Sequence, residues 1–314
     1  MADMKFQHEP VLLAETIEAL NIKENGIYVD CTVGGAGHSI EILKRVGKDG
    51  RLVAIDQDAN ALIAATERLK EYKDQVYFIK CNYAYLGQIL DELNIDKVDG
   101  VLMDIGVSSH QLDEGNRGFS YHQDAPLDMR MDSDQELTAK DVVNTYSQEE
   151  LENILWNYGE EKWGMRIAEF IVKAREEKEI ETTFELVEII KAAIPKKVRM
   201  NSKHPAKKTF QAIRIEVNKE LDVLETGIHS AVDRLKVGGR LVIITFHSLE
   251  DRIVKTNFKE LAQTFEYPPE IPIQAHEKTE KIKVITRKPI VASKEELEKN
   301  NRSRSAKLRV AERV

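Results

Sequence analysis

The chain has 314 residues, 42% of them hydrophobic, enough for one large domain or for a domain carrying an insertion. Its formal net charge of −8 excludes a uniformly basic nucleic-acid coat. No run of about eighteen apolar residues could span a membrane. The first ten residues lack the apolar stretch of a signal peptide, and the two cysteines, Cys31 and Cys81, read as reduced thiols rather than a disulfide framework. A cytoplasmic protein with no membrane partner is therefore expected.

In chain order, residues 10–20 read as a helix with Leu13, Ile17 and Leu20 on one face. A strand at 27–31 runs into a loop with Gly34, Gly35 and Gly37, and a helix follows from about His38 to Val46. The second strand, 52–56, ends in Asp56, and Asp58 is placed to cap the helix that runs to Leu69. A third strand at 76–80, a helix at about 84–93 and a fourth strand at 98–104 complete an alternating pattern. That alternation predicts a parallel sheet with helical crossovers.

The next convincing strand is 240–246, introduced by Gly238 and Gly239. The separation far exceeds one crossover helix, so an insertion is predicted. Its first part, 105–134, is a polar, glycine-containing loop of functional length. Helices follow, with capping boxes at Ser147/Glu150 and Thr182/Glu185 and core stripes such as Leu151, Ile154, Leu155 and Phe184, Val187, Ile190. A long helix, about 208–235, returns to the sheet. After the fifth strand come a helix at 249–261, a loop at 267–272, and an antiparallel edge pair, 282–286 with 307–310. The predicted division is 1–106 with 207–314 for the sheet domain and 107–206 for a loop plus mainly helical domain inserted after the fourth strand.

Charge is unevenly placed. Lys196, Lys197, Arg199, Lys203, Lys207, Lys208 and Arg214 occur without an acid between 194 and 215, and Lys299, Arg302, Arg304, Lys307, Arg309 and Arg313 face one acid, Glu312, in the tail. Such stretches on an acidic body point to a directed anionic ligand.

The strand, glycine loop and helix start fit an adenosine cofactor, and Asp56 lies about twenty residues on, where a βαβ unit places a carboxylate on ribose hydroxyls. Two cofactors compete. A dinucleotide wants a third glycine where this chain has Ile40. S-adenosylmethionine, which has no phosphate, is suited by Asp30, Gly34–Gly37 and Asp56, and the antiparallel terminal pair suits a methyltransferase sheet. The histidines show no metal-ligand spacing, so no metal is expected.

Seven further stretches carry a resemblance: HEPVLL from His8, DCTVGGAGH from Asp30, DIGVSSHQ from Asp104, RGFSY from Arg117, PLDMRMD from Pro126, TFHSLEDR from Thr245 and RSAKLRVAER from Arg304. In this order they resemble the bacterial RsmH or MraW family of ribosomal RNA methyltransferases. The resemblance implies an α/β, Rossmann-like class I methyltransferase sheet that uses S-adenosylmethionine to methylate the N4 amine of a cytidine in the decoding region of 16S ribosomal RNA. It implies cofactor contacts at Gly35, Ala36, Gly37, His38, Asp56, Tyr83, Asp104 and Gln111. Asp104, at a strand's carboxyl end, is also the candidate to orient the amine. Substrate candidates are Phe119, Tyr121 and Phe246 for stacking, His247 as a polar contact or proton acceptor, Arg130 pairing with Asp132 or touching phosphate, and Lys196, Lys197, Arg304 and Lys307 for the RNA backbone. The expected partner is small-subunit ribosomal RNA within its subunit, with a homodimer as a further assembly. A nicotinamide oxidoreductase and a non-catalytic RNA-binding module are the alternatives.

Overall fold

The computed structural model describes residues 10–108, 111, 115–199, 204–263 and 280–314. His8, Glu9, Ser109, His110, Lys203 and the predicted loop at 267–272 lie outside the described residues. The described chain divides into two units. One runs to Gly106 and resumes at Leu221; the other is Val107–Glu220.

The first unit holds a seven-stranded sheet. Its strands are β1 (Ile27–Asp30), β2 (Arg51–Asp56), β3 (Val76–Lys80), β4 (Val98–Asp104), β5 (Leu235–Thr245), β6 (Ile282–Val284) and β7 (Lys307–Arg313), in the order β3-β2-β1-β4-β5-β7-β6. The first five are parallel, and β7 pairs antiparallel with both β5 and β6. β4 is buried along nearly its whole length, as a strand covered on both faces should be. Side chains alternate between two cores. Tyr28, Leu52, Ala54, Leu102, Val242 and Ile244 join the helices α1 (Leu13–Leu20), α2 (Gly37–Val46) and α3 (Ala59–Arg68). Val29, Val53, Ile55, Val101, Met103 and Ile243 join α4 (Leu86–Glu92) and helices later in the chain. This period of two is what makes a three-layer α/β sandwich from these strands. Asp58 caps α3 as predicted, accepting from Asn60 N–H at 3.0 Å.

The second unit is helical: α5 (Ala139–Thr145), α6 (Gln148–Asn157), α7 (Gly164–Glu177), α8 (Thr183–Ala193), α9 (Lys196–Arg199) and α10 (Lys207–Asn218). Both predicted capping boxes are formed, at Ser147/Glu150 and Thr182/Glu185, and Thr138 with Asp141 forms another. The core gathers Leu151, Ile154, Leu155, Ile167, Ile171, Leu186, Ile190, Phe210 and Ile213.

The predicted helix over 208–235 is two helices. α10 stops at Asn218, Lys219 takes a left-handed φ of 50°, and α11 (Glu220–Arg234) starts afresh. Asn218 fixes the break: its Nδ2 donates to Arg214 O and Met129 O at 2.8 Å, and its Oδ1 accepts from Met131 N–H at 2.8 Å. Because α10 packs Phe210, Ile213 and Val217 into the helical core, that unit extends to Glu220 rather than ending at 206. β5 also starts earlier than predicted. Gly238 and Gly239 lie inside it, where its register against β4 shifts between Val98 and Gly100. A short helix, α13 (Lys294–Lys299), precedes β7; α12 (Ser248–Leu261) agrees with the sequence reading.

Candidate active site

Three neighbouring strands end in carboxylates: Asp30 on β1, Asp56 on β2 and Asp104 on β4. The carboxyl edge of a parallel sheet is where such folds bind ligands. Backbone and hydroxyl groups tie the three into one frame. Asp30 Oδ2 accepts from Ser39 Oγ at 2.6 Å, and its Oδ1 accepts from Thr32 N–H at 3.2 Å. Thr32 Oγ1 in turn accepts from Asp104 N–H at 2.8 Å. Asp56 holds the glycine loop, its Oδ2 accepting from Gly34 N–H at 3.0 Å and its Oδ1 from Asp58 N–H at 2.9 Å. From the other side, Arg68 Nη1 donates to Gly35 O at 2.7 Å.

The glycines have different reasons. Gly34 has a φ of 47°, a conformation L side chains rarely adopt. A Cβ on Gly37 would stand 2.2 Å from Pro10 Cγ, so its absence lets the chain before α1 cross the start of α2. Between them the buried Ala36 has a φ of 57°, a strained setting of the kind that surrounding structure maintains at ligand sites. No side chain caps α2, whereas α3 and α12 are capped by Asp58 and His247.

Crowding raises all three acids. Burial, offset in part by Ser39 and Thr32, lifts Asp30 to about 6. Burial lifts Asp56 to about 7 against the amides of Asp58 and Gly34, with the Asp58 and Asp30 charges adding to the rise. Burial followed by the charges of Asp30 and Glu250 takes Asp104 to about 8. Asp104 keeps about a quarter of its side-chain exposure, at 26%, and its Oδ1 has no hydrogen-bond partner among the described residues. His38 is buried, which lowers it to about 4 and keeps it neutral. Its Nε2 lies 3.0 Å from Val11 O, a carbonyl that only accepts, so the ring hydrogen sits on Nε2. Nδ1 is left as a lone pair 3.9 Å from Asp104 Oδ2.

This set fits a ligand with two cationic centres and one carboxylate. Carboxylates that resist ionising alone ionise readily beside a positive charge, and the uncapped α2 terminus suits an anionic group. S-adenosylmethionine, with its sulfonium, ammonium and carboxylate, has that charge pattern. A dinucleotide would bring its pyrophosphate against three acids.

The other predicted residues scatter. The Tyr83 ring packs over Gly227 of α11, where an added Cβ would lie 2.6 Å from Cδ2, so one side of the ring is taken by the helix. Gln111 is buried, and it exchanges bonds with Ser108, accepting at Oε1 from Ser108 N–H at 3.0 Å. Phe246 is half-buried against the sheet core. His247 is the N-cap of α12: its Nδ1 accepts from Glu250 N–H at 3.4 Å, and Glu250 Oε2 takes Phe246 N–H at 2.7 Å. Its Nε2 lies 2.9 Å from Glu250 Oε1, so both ring nitrogens of His247 are turned to Glu250 at the start of α12. Phe119 is a core residue of the helical unit, and Tyr121 lies at that core's margin. Arg130 pairs with Asp128, not Asp132. The fork is bidentate, Nε to Oδ1 and Nη2 to Oδ2 at 2.8 Å, while Nη1 donates to Ser133 O and Gln135 O. Four of its five N–H donors are thus engaged within the loop, and one Nη2 hydrogen remains for a further acceptor. Lys307 pairs with Asp251 at 2.9 Å beside Arg309, again an internal bond. Lys196, Lys197 and Arg304 are exposed. Thr32, Ser39, Arg68 and Glu250 are site-forming residues that were not singled out as candidates, although Thr32 and Ser39 lie in the glycine stretch and Glu250 in TFHSLEDR.

A mixed sheet in this strand order, with a glycine loop after β1 and acids ending β1, β2 and β4, defines a Rossmann-like class I methyltransferase that uses S-adenosylmethionine. The profile of the MraW methylase family matches residues 5–314. The chain belongs to that family. It is similar to the ribosomal RNA small subunit methyltransferase H of Finegoldia magna, 61% identical over 312 residues, covering 99% of this chain and 100% of the relative. The protein of the same name from Lachnospira eligens is 60% identical over 311 residues, covering 99% of each chain.

Proposed function

We propose that this chain transfers a methyl group from S-adenosylmethionine to the N4 amine of a cytidine in 16S ribosomal RNA. The observation that carries the chemistry is the trio Asp30, Asp56 and Asp104, with the Oδ1 of Asp104, which has no partner among the described residues, at the end of the central strand. Identity near 60% to relatives named for the small-subunit rRNA supports the substrate. Ile40 and the acidic edge speak against a nicotinamide cofactor, and the intact glycine loop speaks against a non-catalytic module.

The bound cofactor supplies an activated methyl group on a sulfonium. The protein's part is charge and alignment. Asp56 meets the ribose, Gly35, Ala36, Gly37 and His38 border the methionine end through the uncapped start of α2, and Tyr83 and Gln111 complete the binding set. Asp104 accepts a hydrogen bond from the cytosine NH2, holding nitrogen's lone pair towards the methyl group. The amine becomes acidic once methylated, and Asp104 or water takes its proton. Arg304, Lys196 and Lys197 contribute to the RNA contact, the Val107–Glu220 unit is the substrate-recognition module, and the assembled small subunit in the cytoplasm is the target. A second copy of the chain is the other expected partner, read by light scattering.

Labelled methyl transfer to small subunits from a methylase-deficient strain, with mass mapping of the product, tests this. N4-methylcytidine in 16S rRNA is the expected result. No transfer under low salt, or a label on another base, overturns it.

A further inference from the structure

The helical unit carries an aromatic cluster that the methyl-transfer chemistry does not use. Tyr121 stacks on His204 with ring centroids 4.4 Å apart and planes 17° from parallel. His122 leans on Tyr121 at 4.5 Å and meets His204 edge-on at 5.3 Å. Phe210, which is buried, braces Tyr121 from below in a T-shaped contact at 5.6 Å. His122 is exposed, and Tyr121 and His204 are half-buried.

The pieces come from two distant stretches, RGFSYH and the segment 204–210. Packing alone would favour apolar side chains here. Instead two imidazoles and a phenol form a partly exposed ring cluster. His204 Nδ1 accepts from Ala206 N–H at 3.3 Å, so the neutral ring carries its hydrogen on Nε2. No described residue takes that hydrogen. Lys196 and Lys197 on α9 and Lys207 at the start of α10 are exposed close by in sequence, and Lys191 is near enough to His204 for its charge to be felt there. Stacked rings beside cations are how single-stranded nucleic acid is held: bases lie on aromatic faces while basic side chains follow the phosphates.

We infer that Tyr121, His122 and His204 form a stacking platform for an unpaired nucleobase of the RNA substrate, with His204 Nε2–H as a donor to that nucleotide. The platform rests on the RNA-methyltransferase reading and adds a second nucleotide contact, apart from the base that reacts. It is built to recognise a splayed, single-stranded segment rather than a duplex.

The test compares the full chain binding a short fluorescein-labelled oligocytidylate with an abasic oligomer of equal length and charge. Base stacking contributes about 1–3 kcal/mol per base, so the wild type is expected to prefer the cytidylate by about tenfold, since 1.4 kcal/mol is a factor of ten. Tyr121→Ala, His204→Ala and His122→Ala should reduce that preference towards one, while Tyr121→Phe keeps it. Calorimetric binding of S-adenosylmethionine should stay unchanged in each. His122 is exposed, so His122→Ala and His204→Gln decide the matter if Tyr121→Ala fails to fold. An undiminished base preference in these variants overturns the platform, and so does a wild type that binds both oligomers alike. Methyl transfer by the wild type, scored in parallel on small subunits, keeps that result separate from a failure of the methyltransferase reading.

Discussion

At Asp104, position and ionisation are inseparable. The residue ends the central strand, Thr32 holds its amide, and burial, with the charges of Asp30 and Glu250 adding to it, makes its charge costly until a cation arrives. Asp104→Asn keeps the shape and removes the strong acceptor. It is expected to slow methyl transfer by about a hundredfold or more, the usual effect of deleting one charge-stabilising group. Single-turnover transfer at saturating cofactor reads this, and a rate within a few-fold of wild type would remove Asp104 from the chemistry. The places of Asp56 and Asp104 at the carboxyl ends of strands were legible in the sequence, because each closes an apolar run just before a polar loop. The partner of Arg130 was not. Asp128 and Asp132 are each two residues away, and only the left-handed turn at Met129, with a φ of 59°, decides for Asp128.

At the scale of elements, the start of α2 is the most demanding joint. Its glycines were legible as a tight turn between strand and helix, yet the requirement at Gly37 comes from Pro10, a neighbour that no local pattern discloses. Gly37→Ala must push Pro10 or α2 aside. Overpacking of this kind costs about 1–3 kcal/mol, so urea denaturation should show a lower midpoint at unchanged slope, together with weaker cofactor binding. A wild-type midpoint would mean the N-terminal segment yields without cost. The break at Lys219 was missed for a related reason. Apolar residues keep helical spacing through Ile213, Val217, Leu224 and Ile228, and the interruption is imposed by Asn218 reaching a loop far away in sequence. Capping boxes, by contrast, are local, and both predicted ones formed.

For the molecule as a whole, the raised acids make folding depend on pH in an unusual direction. Their folded values, about 6, 7 and 8, exceed the unfolded value near 4. The folded chain therefore holds protons that the unfolded chain has released. Their stabilising contribution is complete below pH 4 and is lost as pH rises through 6 to 8. The melting temperature of the ligand-free protein should fall over that range relative to Asp104→Asn. Cofactor binding should release protons and tighten with pH, measured by calorimetry in buffers of different ionisation enthalpy. Proton uptake on binding would contradict the acidic-cradle account. The parallel sheet and its antiparallel edge pair were legible, because alternation of strands and helices is a chain-long signal; the strand order was not, since it depends on which edge each crossover joins. Pairwise contacts across the insertion were not, because nothing in a linear pattern brings 121 to 204.

The insertion also bears on the route to the folded state. β4 and β5 are hydrogen-bonded neighbours, yet the whole segment Val107–Glu220 separates them along the chain. Pairing them from an unstructured chain means closing a very long loop, and that loss of freedom precedes any gain from the sheet. The inserted helices rely on nearer contacts such as α6 with α7 and α7 with α8, so they are expected to form first and shorten the loop that remains. Pulse-labelled hydrogen exchange during refolding should then show α6, α7 and α8 protected before the amides of β4 and β5. The reverse order would mean that the central strands find each other while the insertion is still open chain.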